Sequence, residues 1–186
     1  MKKILLTVMT VGLTASVFAQ GVVNFSNFSG TGVTGRVDTN NPVGVAASGS
    51  YNVGLYWGVL GSSEAQLVLI AEGAGNFSSG RFSLGNATTG VGTAAGADGI
   101  FEVKAWTGSL ATYEAAYAAA VAGGGQQVGV SGTFQNSTGG AGTPPSTPSN
   151  LTGWTTGVIL NPVPEPTTLA LGGLGAAALL LFRRRK

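Results

Sequence analysis

The sequence predicts an all-β fold: a single β-sandwich domain with a short helix, flanked by an N-terminal signal peptide and a C-terminal transmembrane helix. Three observations lead there. Short apolar runs recur between glycine-rich turns, with Tyr51, Val53, Leu55, Trp57 and Val59 alternating along one of them. One alanine-rich stretch repeats instead at helical spacing. Two uncharged apolar segments with basic flanks stand at the termini. The expected division is residues 1–19, 20–162 and 163–186.

Along the body, residues 21–28 form the first strand candidate and residues 51–60 the second. Residues 66–71 are apolar after Gln66, the pattern of a strand covered on both sides. Residues 81–84 make a short candidate. In residues 100–106, Phe101, Val103 and Ala105 share one face, and Glu102 and Lys104 the other. In residues 126–134, Val128, Val130 and Phe134 are expected on one face, and residues 155–160 supply a last strand. Tyr113, Tyr117 and Val121 fall on one side of a helix across residues 112–122, which Gly123, Gly124 and Gly125 stop. Residues 136–150, rich in Gly and Pro, read as a loop. Seven or so short strands with such turns point to a sandwich.

Charge is distributed unevenly. Lys2, Lys3 and Arg183 to Lys186 hold six of the nine basic residues, so the chain's pI of about 9.2 describes the ends. Between Gln20 and Val163, Arg36, Arg81 and Lys104 face six acids, a formal charge of −3. That body lacks the clustered Lys and Arg that nucleic acid requires. The chain has no cysteine, which excludes disulfides and thiolate chemistry. It has no histidine, which excludes a Ser-His-Asp triad and removes the commonest metal ligand. No cofactor and no metal is expected.

The remaining chemistry is sparse. Glu64 with Glu72, or Asp98 with Glu102, are the carboxylate pairs a glycoside hydrolase would need, yet Glu102 beside Lys104 reads as the polar face of a strand. Asp38 and Asp98 read as turn residues rather than calcium ligands. Tyr56 and Trp106 lie on the less apolar sides of their strands, which makes them candidates for stacking on a sugar ring. Asn24, Asn27, Asn76, Asn86, Asn136 and Asn150 each begin an Asn-x-Ser/Thr triplet, a pattern that a Ser/Thr-rich chain produces readily.

The termini are more specific. Lys2 and Lys3, the apolar run from Ile4 and the small residues around Ala19 have the layout of a secretory signal peptide, with cleavage by signal peptidase expected between Ala19 and Gln20. At the other end, Pro164, Glu165 and Pro166 precede an uncharged run from Thr167 to Phe182. A helix over that run is about 24 Å long, slightly short of a hydrocarbon core of about 30 Å. Arg183, Arg184, Arg185 and Lys186 then orient the segment with its basic end in the cytoplasm.

This order of Pro-Glu-Pro triplet, apolar helix and basic terminus resembles the PEP-CTERM sorting domain. Inward segments such as 23–28, 51–60, 101–106, 113–116 and 139–150 are also similar to those of small PEP-CTERM proteins. The resemblance implies processing by an exosortase, a membrane enzyme, and export to the cell surface in association with extracellular polysaccharide. The expected role is that of an exported, non-enzymatic surface or matrix protein. A carbohydrate-binding module acting on exopolysaccharide is the alternative, and a secreted hydrolase a more distant one.

Overall fold

The computed structural model describes residues 20–28, 30–40, 43–75, 79–140, 145–164 and 171–175. The chain is mostly β and builds two sheets. Strands β1 (Val22–Ser26), β6 (Ser83–Thr88) and β9 (Ser149–Asn150) form a three-stranded sheet in the order β6-β1-β9. The other sheet has seven strands: β2 (Val37–Asn40), β3 (Val43–Ala46), β4 (Tyr51–Val59), β5 (Val68–Gly75), β7 (Asp98–Thr107), β8 (Gln127–Ser137) and β10 (Val158–Pro162). Their order is β3-β2-β10-β8-β7-β4-β5. An α-helix, α1 (Tyr113–Val121), links β7 to β8.

The alternation in β4 and β7 sets the centre of the larger sheet. Register pairs Val53 with Ala105, Leu55 with Val103 and Trp57 with Phe101. All six are buried in one cluster with Val23, Phe25, Phe82 and Trp154, which come from the smaller sheet and its flanking segments. Phe25 and Phe82 meet edge to face at 4.8 Å. Each fully buried side chain of this kind contributes about 1.5–3 kcal/mol.

Glycine serves this packing by absence. Gly75 lies directly across from Tyr51 in the β4–β5 ladder, and a Cβ there would stand only 2.1 Å from the tyrosine ring. The Tyr51 hydroxyl donates to the Arg81 carbonyl at 3.0 Å, so the ring has little freedom to swing aside. Gly75→Ala is therefore expected to destabilise by about 1–3 kcal/mol, the usual cost of overpacking, as read from the midpoint of a urea melt.

Several sequence expectations are corrected. The apolar run at residues 66–71 is not covered on both sides: β5 is the edge of its sheet, and Val68 remains 53% exposed. Val128 and Phe134 do not share a face. Glu102 pairs with Thr133 but Lys104 with Val130, so an extra residue enters β8 at Ser131 and Gly132, where Gly132 takes φ 72°. That bulge reverses the alternation. Phe134 then stacks on Phe101 at 6.2 Å, while Val128 packs with Trp106 on the opposite side. Helix α1 forms as expected and Thr112 caps it, its hydroxyl accepting from the Ala115 N–H. Its buried face is Ala116 and Ala120, however, and Tyr117 is 47% exposed. The segment read as a loop contributes β9, which pairs in parallel with β1. Strands β2 and β3 form as well, in segments that carry no strong alternation.

Residues 1–19, Glu165, Pro166 and Arg183 to Lys186 lie outside the described residues, as does most of the apolar run from Thr167 to Phe182. Among the described residues no helix is long and apolar enough to cross a membrane.

Candidate functional site

The outer face of β4 and β7 carries the main cluster of ionisable side chains. Tyr56 and Glu102 are cross-strand partners there, and Lys104 follows on the same face. Helix α1 closes over them, so Glu102 has no exposed surface. The Lys104 Nζ stands 3.4 Å from Glu102 Oε2, 4.4 Å from the Tyr56 ring centre and 5.1 Å from that of Tyr113. The Tyr56 hydroxyl donates to Glu114 of α1, 2.9 Å from each carboxylate oxygen. The Glu102 oxygens accept no close hydrogen bond among the described residues, so the Lys104 charge is what offsets their burial.

Burial raises the Glu102 carboxyl above the ordinary value of 4.5, Lys104 draws it back, and Glu64 adds to the rise. Burial likewise pushes the Tyr113 hydroxyl up to about 12. Tyr56 moves further in the same direction, through burial first and then its bond to Glu114. A raised folded value means that the unfolded chain releases its proton first as pH rises. Glu102 thus contributes full stability below pH 4.5 and loses it as pH climbs through the raised value. Asp98 works oppositely. It accepts from Ser137 Oγ at 2.5 Å and Gln135 Nε2 at 2.6 Å, which hold its carboxyl below 3.8. Its contribution is present above pH 3.8 and is lost as pH falls through the lowered value. The two windows do not overlap. Glu102→Gln is expected to flatten the decline of the urea midpoint above pH 4.5 and to leave the acid limb unchanged.

The sequence-derived stacking candidates are not on the surface. Tyr56 is 4% exposed and Trp106 is 1% exposed, the latter fixed by a 2.7 Å bond from its indole N–H to the Leu110 carbonyl. The face they share is the less apolar one, but α1 covers it. Trp106 at the same parity as Glu102 and Lys104 was the signal that this face is enclosed. Asp98 and Glu102 do not converge either. They stand four residues apart on β7, Asp98 in a polar groove with Gln135, Ser137 and Thr152, and Glu102 beneath α1. Asp38 is paired with Arg36 at 2.7 Å.

Several asparagine triplets have a structural role. Asn27 is buried, donates to the Gly35 and Gly80 carbonyls and accepts from the Phe82 N–H. Asn24 donates to Asn150, Asn150 to the Thr31 carbonyl, and Asn136 to the Asn150 carbonyl. These amides tie β1, β8 and β9 together. Asn86 is exposed, and Asn76 lies outside the described residues.

The chain leaves the body through β10. Val158 and Leu160 point into the core, Asn161 pairs with Val128, and Pro162 pairs with Gln127. Val163 still packs against the small cluster of Trp106, Ala116 and Val128. Pro164 is exposed. The PEP-CTERM protein-sorting motif matches residues 162–186. The chain carries a PEP-CTERM sorting signal. No curated protein and no solved structure matches the chain. The PEP-CTERM segment begins at the last residue of the last strand, with no intervening linker. Its presence supports processing by an exosortase-type enzyme and sorting toward the cell surface.

Proposed function

We propose that the protein is an exported, non-enzymatic component of the cell surface or extracellular matrix, whose β-sandwich body is delivered by signal peptide and PEP-CTERM tail. The observation that carries this reading is the junction at Pro162, where a core-packed strand passes directly into the sorting segment. Pro164, Glu165 and Pro166 then act as the recognition element, residues 167–182 hold the substrate in the membrane, and Arg183, Arg184, Arg185 and Lys186 set its orientation. A non-enzymatic role is supported by the sealing of Glu102, the acid with the raised proton affinity, beneath α1. The carbohydrate-binding alternative loses support with the burial of Tyr56 and Trp106.

Intact mass of the protein recovered from the surface of its native host tests the proposal. The expected species begins at Gln20 and lacks the basic terminus. A chain recovered from the cytosol with residues 1–19 intact would overturn it. Deleting Arg183 to Lys186 is expected to reduce the sorted fraction, measured by surface fractionation, because the segment then loses its cytoplasmic charge.

A further inference from the structure

We propose that the end of the body nearest the tail, centred on Tyr117 of α1 and the glycine turn after it, rests on the outer face of the membrane while the sorting tail is inserted. The inference rests on reading residues 167–182 as the inserted segment. Three features of the body support it.

The first is reach. Only residues 163–166 separate the last strand from that segment, and four extended residues span at most about 14 Å. The headgroup layer adds roughly 5–7 Å on each side of the hydrocarbon core. The body's surface beside Pro162 is thus held close to the headgroups.

The second is position. Pro162 pairs with Gln127, the first residue of β8, and the turn of Gly123 to Gln126 directly precedes it from α1. Val163, the first residue of the connection, packs against the cluster of Trp106, Ala116 and Val128, to which the same helix contributes. The C-terminal part of α1 is therefore beside the root of the tail.

The third is chemistry. From Thr107 to Gly129 the sequence holds one charged residue, Glu114, and its carboxylate is engaged by the Tyr56 hydroxyl. Contact there meets a single carboxylate, already engaged by one hydrogen bond. Tyr117 is 47% exposed and stacks on Tyr113 at 6.2 Å, so its ring is presented on a fixed support. A tyrosine with an apolar ring and a polar tip suits the headgroup boundary.

The absence of cysteine makes the test clean. Full-length Tyr117→Cys, labelled with an environment-sensitive nitrobenzoxadiazole dye, is reconstituted into phosphatidylcholine vesicles. Val91→Cys serves as reference: Val91 is 87% exposed in the loop before Asp98, at the far end of β7, a strand roughly 30 Å long. The expected result is a blue-shifted, brighter emission at position 117, quenched by spin-labelled lipid, and water-like emission at position 91. Inserting about ten Gly and Ser residues between Val163 and Pro164 lengthens the tether by roughly 17 Å and is expected to return position 117 to water-like emission. Water-like emission at 117 in a chain that floats with the vesicles overturns the contact. A shift that survives the insertion, or that lipid quencher does not touch, overturns the tether or the bilayer as its cause. A chain that fails to float overturns the insertion of the tail instead.

Discussion

Lys104→Ala is expected to destabilise the body by up to about 3 kcal/mol at pH 7, and by progressively less toward pH 4.5. The substitution leaves Glu102 buried with no cation in contact. A buried carboxylate stripped of its partner ordinarily costs about 3–5 kcal/mol. Here protonation limits the loss. Neutralising a carboxyl with an ordinary value of 4.5 at pH 7 costs about 3.4 kcal/mol, at 1.36 kcal/mol per unit. The same step costs almost nothing near pH 4.5. The double variant Lys104→Met with Glu102→Leu removes both charges and fills their space, and is expected to be near neutral or stabilising. Urea melts of the three proteins at pH 7 and pH 5 decide the matter. A pH-independent loss in the single variant would show that the lysine stem, rather than its charge, is what the fold requires.

Trp154→Ala should be comparably damaging, with a loss of about 3–5 kcal/mol. Trp154 is fully buried between the sheets and lies 5.8 Å from Phe82. Its indole N–H has no hydrogen-bond partner among the described residues. That unpaired donor carries a penalty of about 1–3 kcal/mol, which phenylalanine would remove while keeping much of the ring. Trp154→Phe is therefore expected to lose far less than Trp154→Ala. Equal losses from the two would mean that the indole itself, rather than the volume it fills, is what the site requires. Against a total stability of about 5–15 kcal/mol, the alanine variant stands near the limit of folding.

The difference between these two residues shows what a one-dimensional pattern can convey. Trp154 has no alternating neighbours, and its place between the sheets follows from the chain turning at residues 151–154 after β9. Glu102 and Lys104 alternate with Phe101, Val103 and Ala105, which identifies the strand and its core face correctly. Alternation is silent about what lies over the opposite face. Only the return of the chain through α1 makes Glu102 an enclosed acid rather than a solvated one. The same gap explains Tyr56 and Trp106, whose parity was read correctly while their surroundings were not.

The sequence by itself determined the features that depend on local order: the alternation of β4 and β7, the helix across residues 113–121 with its glycine stop, and the tail in which Pro164 precedes an apolar run and four basic residues. These are set by neighbours a few positions apart, through pleat, helical repeat and transfer of apolar side chains from water. Tertiary structure alone decided that β5 is an edge, that a bulge at Gly132 turns Val128 and Phe134 to opposite sides, and that α1 seals the Glu102–Lys104 pair. Each of these follows from which distant strand pairs with which, a choice made by the free energy of the whole core rather than by any short run of residues.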